Sequence, residues 1–316
     1  MKILITRKIH PEAVGLLRSR FDIDYQGRNA PLPRQYLIDH IKNYHGILSC
    51  VSERFDAGLL ERAKLNLKII SNMAAGLDNI DVSAARALGI EIRNTPDVVT
   101  ECTADFTLAI ALSLLRKIPQ AYDYVRRNKW TAWDPEIFLG RTLCGLTWGI
   151  VGLGKIGLAV ARRIIGFGCH IMYFDPYVTM TQLQDSQIEL QKTGFRDLLK
   201  ASDIISVHVP LTAETKYLMD GEAFRAMKKT AFLINMARGQ VVKSEDLLSA
   251  FIEKRIAGAA LDVFDPEPIS GDHDILKFGN IIVTPHIGTA TEECRREMAM
   301  TAAKNIVDFF KQEIKS

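Results

Sequence analysis

The 316-residue chain contains no uninterrupted apolar run of the roughly 20 residues that a helix needs to cross a bilayer, which excludes a spanning helix. A secretory signal is missing as well: Met1 to Thr6 is too short for an apolar signal core, His10-Pro11 follows closely, and the stretch reads as a first strand. One-sided charge is lacking too. Its 40 basic and 37 acidic residues are spread along the chain for a formal net charge of +3, without the basic stripe that nucleic acid requires. The five cysteines, Cys50, Cys102, Cys144, Cys169 and Cys294, form no CxxC pair and no metal-ligand spacing. They are expected to be reduced thiols, mostly in cores, in a cytoplasmic protein without a metal. There is no low-complexity tract and no short repeat.

What is present is apolar bulk. At 47% hydrophobic residues, a chain of this length exceeds one core, so two domains are expected. From Met1 to about Asn94, short apolar runs (Ile3 to Ile5, Ile47 to Val51, Leu67 to Ser71) alternate with helix-like segments at Pro33 to Ile41 and Ala57 to Leu65. A second series runs through Thr147 to Val151, Ile171 to Phe174, Ile204 to Val209, Ala231 to Asn235, Ala257 to Leu261 and Ile281 to Thr284. Such alternation predicts two α/β domains with parallel sheets.

Between the two series, Thr103 to Arg116 is apolar nearly all round and predicts a long buried helix, with Pro119 ending the clean pattern. Arg126 to Gly145 then carries Trp130, Trp133 and Phe138 among Pro135 and Gly140, too aromatic for a solvated loop and too broken for a helix. Residues 119–145 are therefore expected to form an arm that packs on a second copy of the chain. Thr289 and Glu292 are spaced as a capping box for a last helix to Phe310. That helix is expected to return to the first domain, giving a discontinuous domain of residues 1–98 and 287–316 around a second of residues 99–286.

The segment "GLGKIG", Gly152 to Gly157, follows the strand Thr147 to Val151 and opens a helical pattern. Gly152 suits a tight turn, Gly154 close approach to a pyrophosphate, and Gly157 close packing of helix on strand. Asp175 lies eighteen residues past Gly157 at the end of the next strand, where a carboxylate accepts from ribose hydroxyls. Pro176 and Tyr177 follow, not a basic residue, which favours NAD over NADP, with NADP left as a second possibility.

Four later strand ends carry polar residues: His208 before Val209-Pro210, Arg238 after Asn235, Asp262 after Leu261, and His286 after Thr284-Pro285, with Asp265 and Glu267 just past Asp262. In an open parallel sheet, such ends face the ligand crevice. Together they match the reduction of a 2-oxo acid. That reaction needs a cation for the carboxylate and carbonyl, a proton donor for the developing alkoxide, and a carboxylate to orient the donor.

Six stretches in order, "NMAAGLDNIDV" (72–82), "NTPDVVTECTAD" (94–105), "GIVGLGKIG" (149–157), "NMARG" (235–239), "LDVFDPEP" (261–268) and "TPHIGTAT" (284–291), resemble the D-isomer-specific 2-hydroxyacid dehydrogenase family over essentially the whole chain. The resemblance implies two Rossmann-like/flavodoxin-like domains with an active-site cleft between them. It implies that Arg238 binds and polarises the substrate, that His286 is the acid/base, and that Glu267 is the partner of His286. It assigns the nicotinamide carboxamide to Asp262, and the substrate to Ala75, Gly76, Arg238 and His286. The cofactor contacts expected are Thr103, Gly152, Gly154, Lys155, Ile156, Gly157, Asp175, His208, Val209, Pro210, Thr215, Met236, Ala237, Arg238, Asp262, His286 and Gly288. Within the family, "PDVVTECTAD" followed by "KWTAWDP" is most similar to the glyoxylate/hydroxypyruvate reductase branch. Pro266 in "FDPEP" departs from the second acidic residue that many relatives carry there.

The expected activity is NAD(P)H-dependent reduction of glyoxylate or hydroxypyruvate by a homodimer that binds small 2-oxo and 2-hydroxy acids, and neither nucleic acid nor membrane. D-lactate or D-3-phosphoglycerate dehydrogenase activity stays open at this point. So does a non-catalytic, dinucleotide-sensing corepressor, although the last helix is expected to end within a few residues of Ser316, without the tail such proteins carry.

Overall fold

Short apolar stretches bounded by polar turns build two separate parallel sheets. The computed structural model describes residues 1–178 and 189–313, and it divides into one unit of Met1–Val99 with Ala290–Ser316 and a second of Thr100–Thr289. The return to the first unit was expected at residue 287. It falls instead at Ala290, because the amides of Ile287 and Gly288 are held by Asp262 of the second unit.

The first unit contains β1 (Lys2–Ile5), β2 (Asp22–Tyr25), β3 (Gly46–Ser49), β4 (Ile69–Asn72) and β5 (Glu91–Arg93), in the spatial order β2-β1-β3-β4-β5 and all parallel. This is the flavodoxin-like order. Strands β3 and β4 are buried along their whole length, as continuous apolar runs covered on both faces must be. The edge strands β2 and β5, "DIDY" and "EIR", carry half their residues or more as charges and gave no apolar run to read. Helices α1 (Pro11–Arg18), α2 (Arg34–His40), α3 (Ala57–Ala63) and α4 (Val82–Ala87) connect the strands. Asp56 and Asp81 cap α3 and α4 by accepting from the amides of Leu59 and Ala84. The last helix, Glu292–Glu313, packs on α1, β3 and β4. Its cap is Thr291, whose Oγ1 accepts from the Cys294 amide at 3.1 Å, so the expected Thr289 box is displaced by two residues.

The second unit orders its strands β12-β11-β10-β9-β6-β7-β8, again all parallel. These are β6 (Thr147–Val151), β7 (His170–Phe174), β8 (Gln191–Lys192), β9 (Ile204–Val207), β10 (Phe232–Asn235), β11 (Gly258–Leu261) and β12 (Ile281–Val283). Read along the chain this is the Rossmann order with one strand added, and its direction reverses between β6 and β9. Its helices are α5 (Thr100–Leu115), α6 (Ile118–Arg126), α7 (Lys155–Ile164), α8 (Phe195–Ala201), α9 (Gly221–Ala226) and α10 (Ser244–Ile252). The buried α5 starts three residues earlier than its apolar pattern and packs on α7, where Arg163 meets Glu101 and Asp105. The buried helix stops before Pro119, at Leu115, and Pro119 sits in the first turn of α6, where a missing N–H costs nothing.

Residues 127–146 form neither helix nor strand, α6 buries no residue, and Trp130 and Trp133 are 62% and 82% exposed. The cysteines are all free, but only Cys169 and Cys294 are buried; Cys50 and Cys102 are half-buried and Cys144 is exposed. The expectation that most lie in cores fails: Cys50 follows the end of β3, Cys102 lies on the first turn of α5 (Thr100–Leu115), and Cys144 occupies a turn position beside the left-handed Gly145. No helix of the described residues is long and apolar enough to cross a membrane.

Candidate active site

At the reversal between β6 and β9, the chain turns from β6 into α7 through the glycine segment. Gly152 has φ +91°, and a Cβ there would lie 2.7 Å from Val209 Cγ1 and 2.9 Å from the His208 carbonyl carbon. A Cβ at Gly157 would lie 2.2 Å from the Gly152 carbonyl oxygen, so both positions require glycine. Gly154 is different: it caps α7 with no side-chain bond, and a Cβ there would meet nothing within 4 Å. The open approach leads straight to the amino end of a ten-residue helix, starting with Lys155 and Ile156, that carries partial positive charge.

Asp175, at the end of β7, is 8% exposed. Its Oδ2 accepts from the Leu153 amide at 2.8 Å, and its Oδ1 from the amides of Tyr177 and Val178 at 2.8 and 3.0 Å. The carboxylate therefore fixes the glycine turn itself. His208, after β9, has both ring nitrogens buried without a hydrogen-bond partner among the described residues, and burial pushes its imidazole down to about 3. It is neutral at physiological pH. Thr215 lies further along this loop, where its Oγ1 donates to the Pro210 carbonyl at 2.5 Å.

The ends of β10, β11 and β12 lie side by side. After β10, buried Asn235 holds the turn to Arg238, accepting from the Ala237 amide and donating to the Arg238 carbonyl, both at 3.0 Å. Gly239 then passes so close to the next loop that a Cβ would sit 1.9 Å from the Phe264 carbonyl oxygen. Gly239, next to Arg238, and the Phe264-Asp265 peptide are thus packed backbone to backbone.

After β11, Asp262 is 2% exposed, and both oxygens are engaged. Oδ1 accepts from Thr284 Oγ1 at 2.6 Å and the Ile287 amide at 2.8 Å, while Oδ2 accepts from the Gly288 amide at 2.8 Å. A Cβ at Gly288 would fall within 3.7 Å of Met236, Asp262 and Thr103, so these four residues converge. The clamp holds His286 at φ +55°, a left-handed conformation that costs about 1–3 kcal/mol outside glycine. Its own amide, donating to the carbonyls of Asp262 and Thr284, helps to keep it there.

His286 Nδ1 lies 2.6 Å from Glu267 Oε1, with side chains 30% and 38% exposed. Burial acts to raise the Glu267 carboxyl, but the hydrogen bond and charge of His286, the Phe264 amide and the charge of Arg238 outweigh it and hold the group below its usual range. An ionised carboxylate can only accept, so His286 donates from Nδ1, and Nε2 is the nitrogen left for another partner.

The NAD binding domain model of the D-isomer specific 2-hydroxyacid dehydrogenases matches residues 108–288. Glyoxylate reductase of Korarchaeum cryptofilum is 40% identical over 316 residues, 99% of this chain and 94% of that one. The chain belongs to the D-isomer specific 2-hydroxyacid dehydrogenase family. Among solved structures it is similar to the TT0316 protein of Thermus thermophilus, with TM-score 0.92, 38% identity and coverage of 99% and 97% of the two chains. It is also similar to an NADPH-dependent glyoxylate/hydroxypyruvate reductase of Sinorhizobium meliloti in complex with NADP and malonate, with TM-score 0.83, 30% identity and coverage of 98% and 93%.

As a 2-hydroxyacid dehydrogenase the chain is an oxidoreductase with an NAD-binding domain, and the glycine turn fits a dinucleotide. Its Gly154 side is open, its helix end is capped by no side chain, and its shape is fixed by Asp175. Among the other expected residues, the second unit brings His208 and Val209 to Gly152, and Met236 and Thr103 to Gly288. Ala75 and Gly76 belong to the first unit, in the loop after β4. Asn235 and Thr284, which hold the dehydrogenase loops, stand in the sequence only as strand-end neighbours of Arg238 and His286, whereas Gly239 is marked by its place beside Arg238. The one available signal for them was small and amide-bearing residues flanking each charged one.

Proposed function

We propose that the chain reduces glyoxylate to glycolate and hydroxypyruvate to D-glycerate, with NADH preferred over NADPH. Nicotinamide dinucleotide, when bound, supplies the hydride. Arg238 would hold the substrate carboxylate with its planar fork and polarise the carbonyl, and the backbone of Ala75 and Gly76 would share that carboxylate. His286 would donate the proton from Nε2 to the oxygen that gains charge, and Glu267 would keep the ring oriented for it. The observation that carries this reading is the 2.6 Å contact between His286 and Glu267, with the charge of Arg238 acting on the same carboxylate.

The substrate class follows from charge. In the first unit, Arg93 is committed to Glu91, the Asn305 carbonyl and the Phe309 ring, and Arg7 to Ser52 and the Asn29 carbonyl. A phosphorylated acid would bring a dianion that these two committed arginines do not pair, and exposed Arg54, in the loop after β3, is the cation whose removal tests this. Steady-state rates with glyoxylate, hydroxypyruvate, pyruvate and 3-phosphohydroxypyruvate, each with NADH and NADPH, test the reading. The two unphosphorylated reductase substrates are expected to give the highest kcat/KM, and a preference for 3-phosphohydroxypyruvate would refute the assignment.

The reading includes a homodimer and a cytoplasmic location. Trp130, Trp133 and Leu139 are 62–82% exposed on a segment without a sheet to cover, as an arm awaiting a second copy would be. Sedimentation of Trp133→Ala as a monomer is the expected outcome.

A further inference from the structure

In the first unit the chain leaves β4 at Asn72 and turns through Met73 to Leu77. Three successive carbonyls of that turn are held. Ala74 accepts from the Thr95 amide at 2.8 Å, Ala75 from Asn94 Nδ2 at 2.7 Å, and Gly76 from Asn72 Nδ2 at 3.1 Å. The peptides here are trans, so each carbonyl points opposite to the following N–H. The amides of Ala75, Gly76 and Leu77 therefore face away from the groups that hold the carbonyls. Amides presented this way can donate to an anion.

The holders are themselves fixed. Asn72 is buried, accepts from Ser49 Oγ at 3.0 Å and also donates to Asn79 Oδ1 at 3.0 Å. Asn79 is tied in turn to the carbonyls of Cys50 and Glu53 at 3.1 and 2.9 Å. Behind Asn94, Asn305 of the last helix donates to the Asn94 carbonyl at 3.1 Å and to Ser71 Oγ at 3.3 Å. Each of these holders is uncharged. A carboxylate in the same place would lack the donors that the carbonyls need and would oppose an incoming anion.

We infer that Asn94 and Asn72 are positioning residues that preset the Ala75, Gly76 and Leu77 amides for the carboxylate of the 2-oxo acid. Asn305 supports Asn94 from behind. The inference rests on the proposed reading that this backbone holds the substrate. The preset orientation removes the cost of turning the peptides at the moment of binding, so its loss appears in substrate affinity.

The test is steady-state kinetics with glyoxylate, together with NADH titration by fluorescence and a thermal melt of each variant. Asn94→Ala is expected to raise KM for glyoxylate about tenfold, the worth of one well-placed hydrogen bond, with kcat within about twofold and NADH affinity unchanged. Asn305→Ala should move KM the same way by about threefold. Asn94→Gln, which restores an amide donor on a longer arm, should recover part of the loss. A folded Asn94→Ala with parental KM overturns the inference and leaves the proposed function standing, as does equal weakening of NADH and glyoxylate. If Asn94→Ala does not fold, an unchanged KM in Asn305→Ala overturns it instead. A parent enzyme that does not reduce glyoxylate overturns the reading itself, and the inference with it.

Discussion

The loop after β4 in the first unit and the loops after β7 and β11 in the second are organised by opposite chemistry. In the first unit, neutral amides hold backbone carbonyls: Asn94 binds Ala75 and Asn72 binds Gly76. In the second, carboxylates hold backbone amides: Asp175 binds Leu153, Tyr177 and Val178, and Asp262 binds Ile287 and Gly288. Which backbone group must be restrained decides the residue. A carbonyl needs a donor, which aspartate lacks, while two or three amides need an acceptor with two oxygens, where asparagine has one. The consequence for ligands differs as well. Restrained carbonyls leave amides facing outward for an anion, whereas restrained amides set the angle of a loop that carries a side chain such as His286.

The comparison breaks first at His286. If the second unit's clamps exist to present this ring, His286→Ala should lower kcat by about 10² to 10⁴ with little change in fold, because proton transfer is lost and the Asp262 clamp stays. Parental kcat would remove the ring from the chemistry. A sharper test exchanges the clamp itself. Asp262→Asn keeps the shape but sets an NH₂ donor either against the Thr284 hydroxyl and the Ile287 amide or against the Gly288 amide, each of which now donates to the carboxylate. The expected loss is about 2–3 kcal/mol by urea unfolding, with kcat reduced about 100-fold as the strained His286 relaxes. Equal stability of parent and variant would show that the loop needs no buried acceptor.

Glu267 gives a smaller and pH-dependent effect. Its carboxyl is held below the ordinary 4.5 in the folded chain, so the stability it contributes is complete above that value and is lost as pH falls through the lowered one. The melting-temperature difference between parent and Glu267→Gln should therefore be present at neutral pH, shrink as pH falls below the ordinary carboxylate value and vanish below the lowered one. With the charge beside the ring gone, kcat should fall roughly tenfold. A parental kcat would show that the 2.6 Å contact has no part in proton transfer.

Much of this was legible in the sequence because the information is local. The central strands are continuous apolar runs, and the glycine turn declares itself by three glycines after a strand, each with a distinct steric reason. Arg238, Glu267 and His286 stand out as charge where an apolar run ends. The edge strands β2, β5 and β8 did not, since a strand paired on one side needs no apolar pattern, whereas the fourth edge strand, β12, is apolar and was legible. The cap at Thr291 was missed because two threonines are spaced to serve and only the turn selects one. Asn72 and Asn94 were invisible for a deeper reason. Their importance lies in bonds to Gly76 and Ala75 that exist only once β4 and the segment after β5 lie together.

The smallest expected effect concerns Asp175, the carboxylate whose double duty the sequence did not suggest. It was read as a ribose acceptor, yet three of its acceptor positions serve the turn and the chain beyond β7. A carboxylate has about four such positions, so one hydrogen bond to a ribose hydroxyl is compatible with the clamp, and the negative charge still opposes a 2′-phosphate. Asp175→Ala would remove clamp and charge together and so could not tell the two roles apart. Asp175→Asn keeps one acceptor oxygen for the Leu153 amide while removing the charge. It should narrow the ratio of kcat/KM for NADH over NADPH about tenfold, mainly through KM for NADPH, while its NH₂ group, set against the Tyr177 and Val178 amides, lowers stability by an amount like that of Asp262→Asn. A ratio that stays fixed while the melting temperature falls steeply would assign Asp175 to the turn alone, and cofactor choice would then have to come from residues elsewhere in the second unit.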